Sequence, residues 1–401
     1  MKRASNFLLL VALLVSALAI LSGGRTAATR AILADNAPVG GNTFTTAASF
    51  SGRWYDTNWQ FRKKITIDHT RVSANLTDFP VLINLTSDAD LAAHAQASGN
   101  DILFTSSDGV TKLSHEIERY TSATGALVAW VRVASLSSTT DTVLYMCYGN
   151  PSAPNQQAPT NVWDANYRAV WHLRESGNGT AGEFKDSTSN ANNGTGAGAA
   201  PGYPTRVAGE VGYGENFPSG DVAGGIYLNC GNNASLQITG SGTIEAWVRP
   251  AASGSYIGIA GKITDQNGSP ANSGFTLARS NTNYYRFLVG NRTTMVIVNS
   301  NSTYTDTGWH HIVGVVSSGT DYLYVDGVQQ TATGANAIAD SGSFAFIGRQ
   351  YSNYNQRYWN GVIDEVRISN NVRPAAWIST EYNNQSSPSS FYSLDIEITR
   401  P

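Results

Sequence analysis

The stretch that most constrains this chain runs from Trp309 to Gln330. It reads Trp-His-His-Ile-Val-Gly-Val-Val, then Ser-Ser-Gly-Thr-Asp, then Tyr-Leu-Tyr-Val, Asp-Gly and Val-Gln-Gln. Apolar and polar residues alternate, and β-branched and aromatic types dominate, as a half-buried antiparallel ribbon requires. Asp326-Gly327 is the preferred pair for a two-residue hairpin turn, because both central positions need positive φ. Trp309 and Val325 are expected in a core. Similar strand patterns, broken by turn signals at a spacing of roughly ten residues, recur along most of the chain, so the fold class is all-β. Asp88 to Ala97 is the one short helix expected before the C-terminal region, with Asp88 as its cap. Pro374 to Asn383 is expected to form a helical turn.

Charged residues are only 14% of the chain, while Gly (39), Tyr (19) and Trp (9) are plentiful. That balance suits extracellular β-sandwich proteins better than helical cytosolic enzymes. The net charge is −3 and basic residues form no long run, which argues against a nucleic-acid partner. Lys2 and Arg3 precede an apolar stretch from Phe7 to Leu21, and Ser22-Gly23-Gly24 follows. Residues 1–24 therefore read as a secretory signal peptide, and the protein as secreted or held at the cell surface. Cleavage or retention as an anchor stays open, and no transmembrane segment is expected in the mature chain. Residues 25–52 read as a linker. Cys147 and Cys230 fall in different expected domains. Export permits a disulfide and apolar flanks suit buried thiols, so their pairing stays open.

Residues 53–152 are expected to form a first β-sandwich, 153–164 a Pro-rich linker, and 165–401 a second sandwich. The first resembles a bacterial and archaeal domain family of unknown function. The resemblance rests on Trp59 to Ile67, Leu76 to Leu82, Asp101 to Gly109, His115 to Glu118, Ala129 to Val131 and Tyr148 to Asn150. The second resembles the laminin-G-like branch of the concanavalin A-like lectin and glucanase superfamily. It does so through Trp171 to Leu173, Asp186 to Asn190, Ile244 to Val248, Trp309 to Ile312, Leu323 to Gly327 and Gly361 to Ile368. Two consecutive antiparallel β-sandwiches, the second a concanavalin A-like jelly roll, are what these resemblances imply.

A glycosidase needs two carboxyl groups facing each other across a sugar cleft. Asp364 and Glu365 are adjacent, so an unbroken strand turns them to opposite faces. Glu116 and Glu118 share a face, but such pairs are usually solvated. His310 and His311 are poor co-ligands for the same reason of alternation. No catalytic motif stands out, and the chain is expected not to be an enzyme. The second resemblance implies a structural calcium, held by Asp186 and Asp364. Without it, Asp186 would close an Asx-type turn and Asp364 would sit at the surface of its strand. Tyr351, Asn353, Tyr354 and Tyr358 lie in a Tyr- and Asn-rich loop whose composition suits stacking on sugars. The expected function is extracellular recognition of a carbohydrate or cell-surface ligand, so the expected partner is a glycan or a cell-surface protein. The alternatives are a structural component of the cell envelope or a surface filament, and a glycan-processing enzyme without a recognisable motif. Ligand identity, oligomeric state and the role of the first domain stay open.

Overall fold

Alternating residues in the first half become β1 (Phe61–Ile67), β2 (Leu76–Leu85), β3 (Leu103–Ser106), β4 (Lys112–Leu113), β5 (His115–Thr121), β6 (Ala126–Leu136) and β7 (Thr142–Tyr148). Helix α1 (Ala89–His94) starts where expected, with the Asp88 carboxylate accepting from the Asp90 and Leu91 amides. The structure, a computed structural model, describes residues 53–198, 200–218, 224–251, 256–351 and 357–401. The expected signal peptide and first linker lie outside the described residues.

The second half continues with β8 (Tyr167–Trp171), β9 (Thr195–Ala197), β10 (Thr205–Ala208), β11 (Tyr213–Pro218), β12 (Tyr227–Asn229), β13 (Gly242–Pro250), β14 (Ile257–Thr264), β15 (Ser273–Arg279), β16 (Tyr285–Asn291) and β17 (Met295–Asn299). The hairpin region gives β18 (His310–Ser317), β19 (Thr320–Val325) and β20 (Val328–Gly334). The chain ends with β21 (Phe346–Ile347), β22 (Asn360–Ser369), helices α2 (Ala375–Ser386) and α3 (Pro388–Phe391), β23 (Tyr392–Leu394) and β24 (Ile398–Thr399). Two turns fold β18, β19 and β20 into a meander. Ser318-Gly319 and Asp326-Gly327 all have positive φ, as two-residue turns of this kind demand. Val325 enters the core, but Trp309 does not: it precedes β18 half-buried, with the Arg249 guanidinium over its ring.

The first lobe sets a sheet in the order β23-β1-β7-β3-β4 against the three-stranded β2-β6-β5. Its core includes Ile65, Phe79, Ile83, Leu127 and Trp130. The second lobe sets a sheet ordered β10-β11-β22-β13-β18-β19-β20 against β17-β16-β15-β14-β21-β12-β9, around Trp171, Phe217, Ile244, Phe287 and Trp359. The fold is thus all-β, with two antiparallel sandwiches in succession. Cys147 and Cys230 are both buried and free, one outside the first core and one inside the second.

Residues 51–401 nonetheless form a single unit. The segment 153–164, expected as a linker, is bonded along the edge of the first lobe. The Ala158 amide donates to the His115 carbonyl, and the Gln157 side chain accepts from the Ile117 amide. Val162 and Trp163 enter the first core, as do Val170 and Val211 of the second half. Helix α2 buries Trp377, Ile378, Glu381, Asn384 and Gln385, a stripe at helical spacing. It wedges between the lobes. Ile378 meets Val313, Val315 and Tyr324 of the eight-stranded sheet, while Asn384 bonds both backbone groups of Leu82. The chain then returns to β1, where Leu394 pairs with Ile65.

Candidate functional site

The expected sugar-stacking residues are placed inward where the structure describes them. Tyr351 is 8% exposed and closes over Ile263, Ala278 and Leu288, and Tyr358 is 2% exposed beside Tyr227. Both rings are spent on packing, so neither offers an open face to a pyranose. Asn353 and Tyr354 lie outside the described residues. Asp186 closes an Asx turn: its carboxylate accepts from the amides of Val170, Thr188 and Asn192 and from the Thr188 hydroxyl. Asp364 serves a different loop, accepting from the Val211 amide at 2.9 Å and from the Glu365 amide. Asp364 is fully buried, not at the strand surface.

The expectation that Asp364 and Glu365 face apart also fails, for a backbone reason. Glu245 of β13 pairs with Arg367, and Trp247 with Asp364. Two residues of β22, Glu365 and Val366, therefore oppose Ala246 alone, and Glu365 has φ +49°. This is a β-bulge, which re-aims a side chain by breaking the pleat. It sits where the neighbour on the other edge of β22 changes, from β11 ending at Ile363 to β8 beginning at Val366. A second bulge faces it. In β5, Ile117 pairs with Ala129 and Arg119 with Val128, which leaves Glu118 extra.

These two bulges and His172, just after β8, build the lobe junction. His172 Nδ1 lies 2.6 Å from Glu365 Oε1 and its Nε2 lies 3.3 Å from Glu116 Oε2. Glu116 also accepts from the Ser187 hydroxyl and the Trp163 indole, and Arg174 Nη2 lies 3.4 Å from it. Glu118 accepts from the Trp130 indole at 3.0 Å. Arg367 Nη2 lies 2.6 Å from Glu365, with its guanidinium stacked 4.5 Å from the Trp130 ring centre. The sequence placed Glu116 and Glu118 in solvent; both are buried, because the second lobe covers them.

Burial disfavours every charge here, and pairing decides which survive. Burial lowers the His172 pKa, but Glu365 and Glu116 outweigh it, and the net value is well above the ordinary imidazole range. Burial raises the Glu116 pKa, but His172 and Arg174 bring it down to about 2. Glu118 goes the other way, pushed up to about 8 by burial and by Glu365. Although its oxygen lies 3.6 Å from His172 Nδ1, Glu118 is therefore a neutral acid, and Glu116 and Glu365 are the ion-pair partners of the ring. Donor atoms of Glu118, His172 and Glu365 lie within 4.8 Å of one another, close enough to hold a metal. A metal would need a bare ring nitrogen, and here both nitrogens face carboxylates as N–H donors. The imidazolium, with Arg174 and Arg367 beside it, supplies the positive charge of this cluster.

The open part of the junction lies beside it. A hollow of about 430 Å³ is lined by Arg132, Asn161, Trp163, Asp164, Arg168 and Asn190, among others. A second, of about 400 Å³, is lined by Asn75, Asp78, Asp164, Asn166, Arg373 and Trp377, among others. They meet at Asp164, which Arg373 grips with two hydrogen bonds of 2.7 and 3.1 Å. Arg132 Nε donates to Asp78 at 2.9 Å, and both side chains are partly exposed.

The fold is that of an all-β protein in which two antiparallel sandwiches meet at this junction. Residues 222–379 match the family described as Concanavalin A-like lectin/glucanases superfamily, and residues 98–173 match the Domain of unknown function (DUF2341). Both resemblances read from the sequence are thus found, in the same order. No curated protein matches the sequence. Among solved structures, the chain is similar to domain 4 of AbnA, an extracellular arabinanase from Geobacillus stearothermophilus, in complex with arabinotriose. The identity is 16%, over 55% of this chain and 100% of that one, with a TM-score of 0.43. It is also similar to the binding domain of botulinum neurotoxin serotype G, at 13% identity over 55% of this chain and 52% of that one, TM-score 0.40. A third is the Trypanosoma rangeli sialidase, at 13% identity over 62% and 42%, TM-score 0.38. The chain therefore spans about half the length of the toxin domain or less than half that of the sialidase it matches.

Proposed function

We propose that this chain is an exported, non-catalytic recognition protein that holds a carbohydrate in the cleft between its lobes. The observation that carries this is the lining of the two hollows that meet at Asp164. Side-chain amides, carboxylates and guanidinium groups converge there from both lobes. Sugars present vicinal hydroxyls that such groups bind in pairs, and a few fixed polar groups are what confers orientation. Burial raises the Asp164 pKa, but Arg373 outweighs it and holds the acid ionised. An ionised acid cannot protonate a leaving sugar. The acids of the network are sealed by the lobes.

The test is a glycan array with the purified chain, followed by titration calorimetry on any glycan retained. Binding is expected, and Arg132→Gln and Asp78→Asn should each weaken it by about tenfold, the value of one charged hydrogen bond. Asn is chosen because Asp78 has φ +54°, which Asn tolerates. Melting temperatures should not change. An array without any binder, or release of sugars from polysaccharide, would defeat the proposal.

A further inference from the structure

Beneath helix α2 lies a second polar group, distinct from the cleft and from the His172 cluster. Glu245 of β13, His311 of β18 and Glu381 of α2 bring one donor atom each within 4.8 Å of one another. All three side chains are at least nine-tenths buried. His311 Nε2 lies 3.9 Å from Glu245 Oε2. Glu245 Oε2, Glu381 Oε2 and His311 Nδ1 have no hydrogen-bond partner. Unpartnered buried polar atoms are rare in native proteins and call for an explanation.

Charge counting sharpens the point. Arg367 is the only guanidinium in contact with Glu245, Glu365 and Glu381 among the described residues: it touches Glu381 and lies 2.6 Å from Glu365 and 3.5 Å from Glu245. With His172 serving Glu365, Arg367 and the more distant Arg373 are the cations that face the Glu245–Glu381 pair. His311 Nε2 stays 3.9 Å from Glu245 and its Nδ1 has no hydrogen-bond partner, so this ring, unlike that of His172, can present a bare nitrogen.

We propose that Glu245, His311 and Glu381 bind a divalent transition-metal ion of the zinc class, which pins α2 to the eight-stranded sheet. One imidazole nitrogen and two carboxylate oxygens are a common three-ligand set for such ions. The metal supplies positive charge to the two carboxylates and a partner to the imidazole. The competing occupant is a proton shared by Glu245 and Glu381, whose carboxyl groups are within hydrogen-bonding reach of each other. Because α2 bonds Leu82 on its other side, an ion here ties both lobes together.

The experiment uses the full chain, loaded with Zn²⁺, freed of loose metal by gel filtration, and assayed for metal by mass spectrometry. About one equivalent is expected in the wild type, and close to none in His311→Gln or Glu381→Gln. The exposed group Asp68, His69 and Asp141 is the other cluster that offers a single imidazole with carboxylates in the open. A His69→Gln variant must therefore keep its equivalent. Should the buried variants fail to fold, X-ray absorption on the zinc-loaded wild type decides, with one imidazole and otherwise oxygen neighbours expected. Retention well below one equivalent in the wild type assigns the pocket to the shared proton and overturns the proposal. So does loss of the metal in His69→Gln, or a metal with no imidazole neighbour.

Discussion

At the scale of the residue, the junction turns on which of three acids and one imidazole carry charge. His172 is the cation between Glu116 and Glu365. Replacing it by Gln removes a cation from two buried carboxylates, leaving Glu116 with Arg174 and Glu365 with Arg367, a change in a buried network that typically costs about 3–5 kcal/mol. Urea unfolding of His172→Gln should show a loss of this size at neutral pH; a loss under about 1 kcal/mol would mean the ring is not charged. The pH dependence has a definite sign. Glu116 is depressed to about 2, so its contribution is present above the ordinary carboxylate range and is lost as pH falls toward that value. His172 is raised, so its contribution is complete below the ordinary imidazole value of 6.5 and declines as pH climbs beyond it. The gap between wild type and His172→Gln should therefore hold below about pH 6.5 and narrow as pH rises beyond it. Glu118 is the internal control. It already carries its proton at neutral pH, since burial and Glu365 push it to about 8. Glu118→Gln should thus cost less than about 1 kcal/mol, while Glu116→Gln should cost several times more by the same unfolding assay.

At the scale of the element, the hairpin region was legible and the bulges were not. Asp326-Gly327 announced its turn through the positive φ that only certain residue pairs accept easily. Gly327→Ala should cost about 1–2 kcal/mol, since φ is +75° and the new Cβ would lie 3.0 Å from Tyr382 Cβ. A melting temperature equal to that of the wild type would show that the turn relaxes freely. The strand Val362 to Ile368, by contrast, reads in sequence as plain alternation. Its bulge at Glu365 exists because the strand changes neighbours from β11 to β8, a long-range event that local spacing cannot encode. Hence Asp364 and Glu365 were assigned to opposite faces, and the junction cluster went unseen. The one local hint is that Asp364, Glu365 and Arg367 crowd an otherwise apolar strand. The loop aromatics failed for a related reason. Tyr351 and Tyr358 look like sugar platforms by composition, but an outer sheet face and a neighbouring ring need covering, and these side chains cover them.

At the scale of the whole molecule, chain order and physical unity part company. The two sandwiches follow each other in sequence, yet the first core contains Val162, Trp163, Val170 and Val211, and Trp377 of α2 stacks edge-on against Phe79. The C-terminal strands β23 and β24 pair with β1, so the first lobe is completed by the last residues of the chain. Such an arrangement predicts one unfolding event. Removing part of it exposes buried apolar surface and leaves β1 with a bare edge in the other part. In calorimetry, the full chain should show a single transition whose calorimetric and van't Hoff enthalpies agree. A chain ending after Ser387 would lack Phe391 and Tyr392 of the first core and both closing strands. It should lose that transition or shift it down by at least about 5 °C, since even 1–2 kcal/mol moves the midpoint by a few degrees in a protein of this size. Two resolved transitions in the full chain, with the upper one unchanged by the truncation, would instead mean that the lobes fold independently. In that case the cleft would be a mobile contact between two domains.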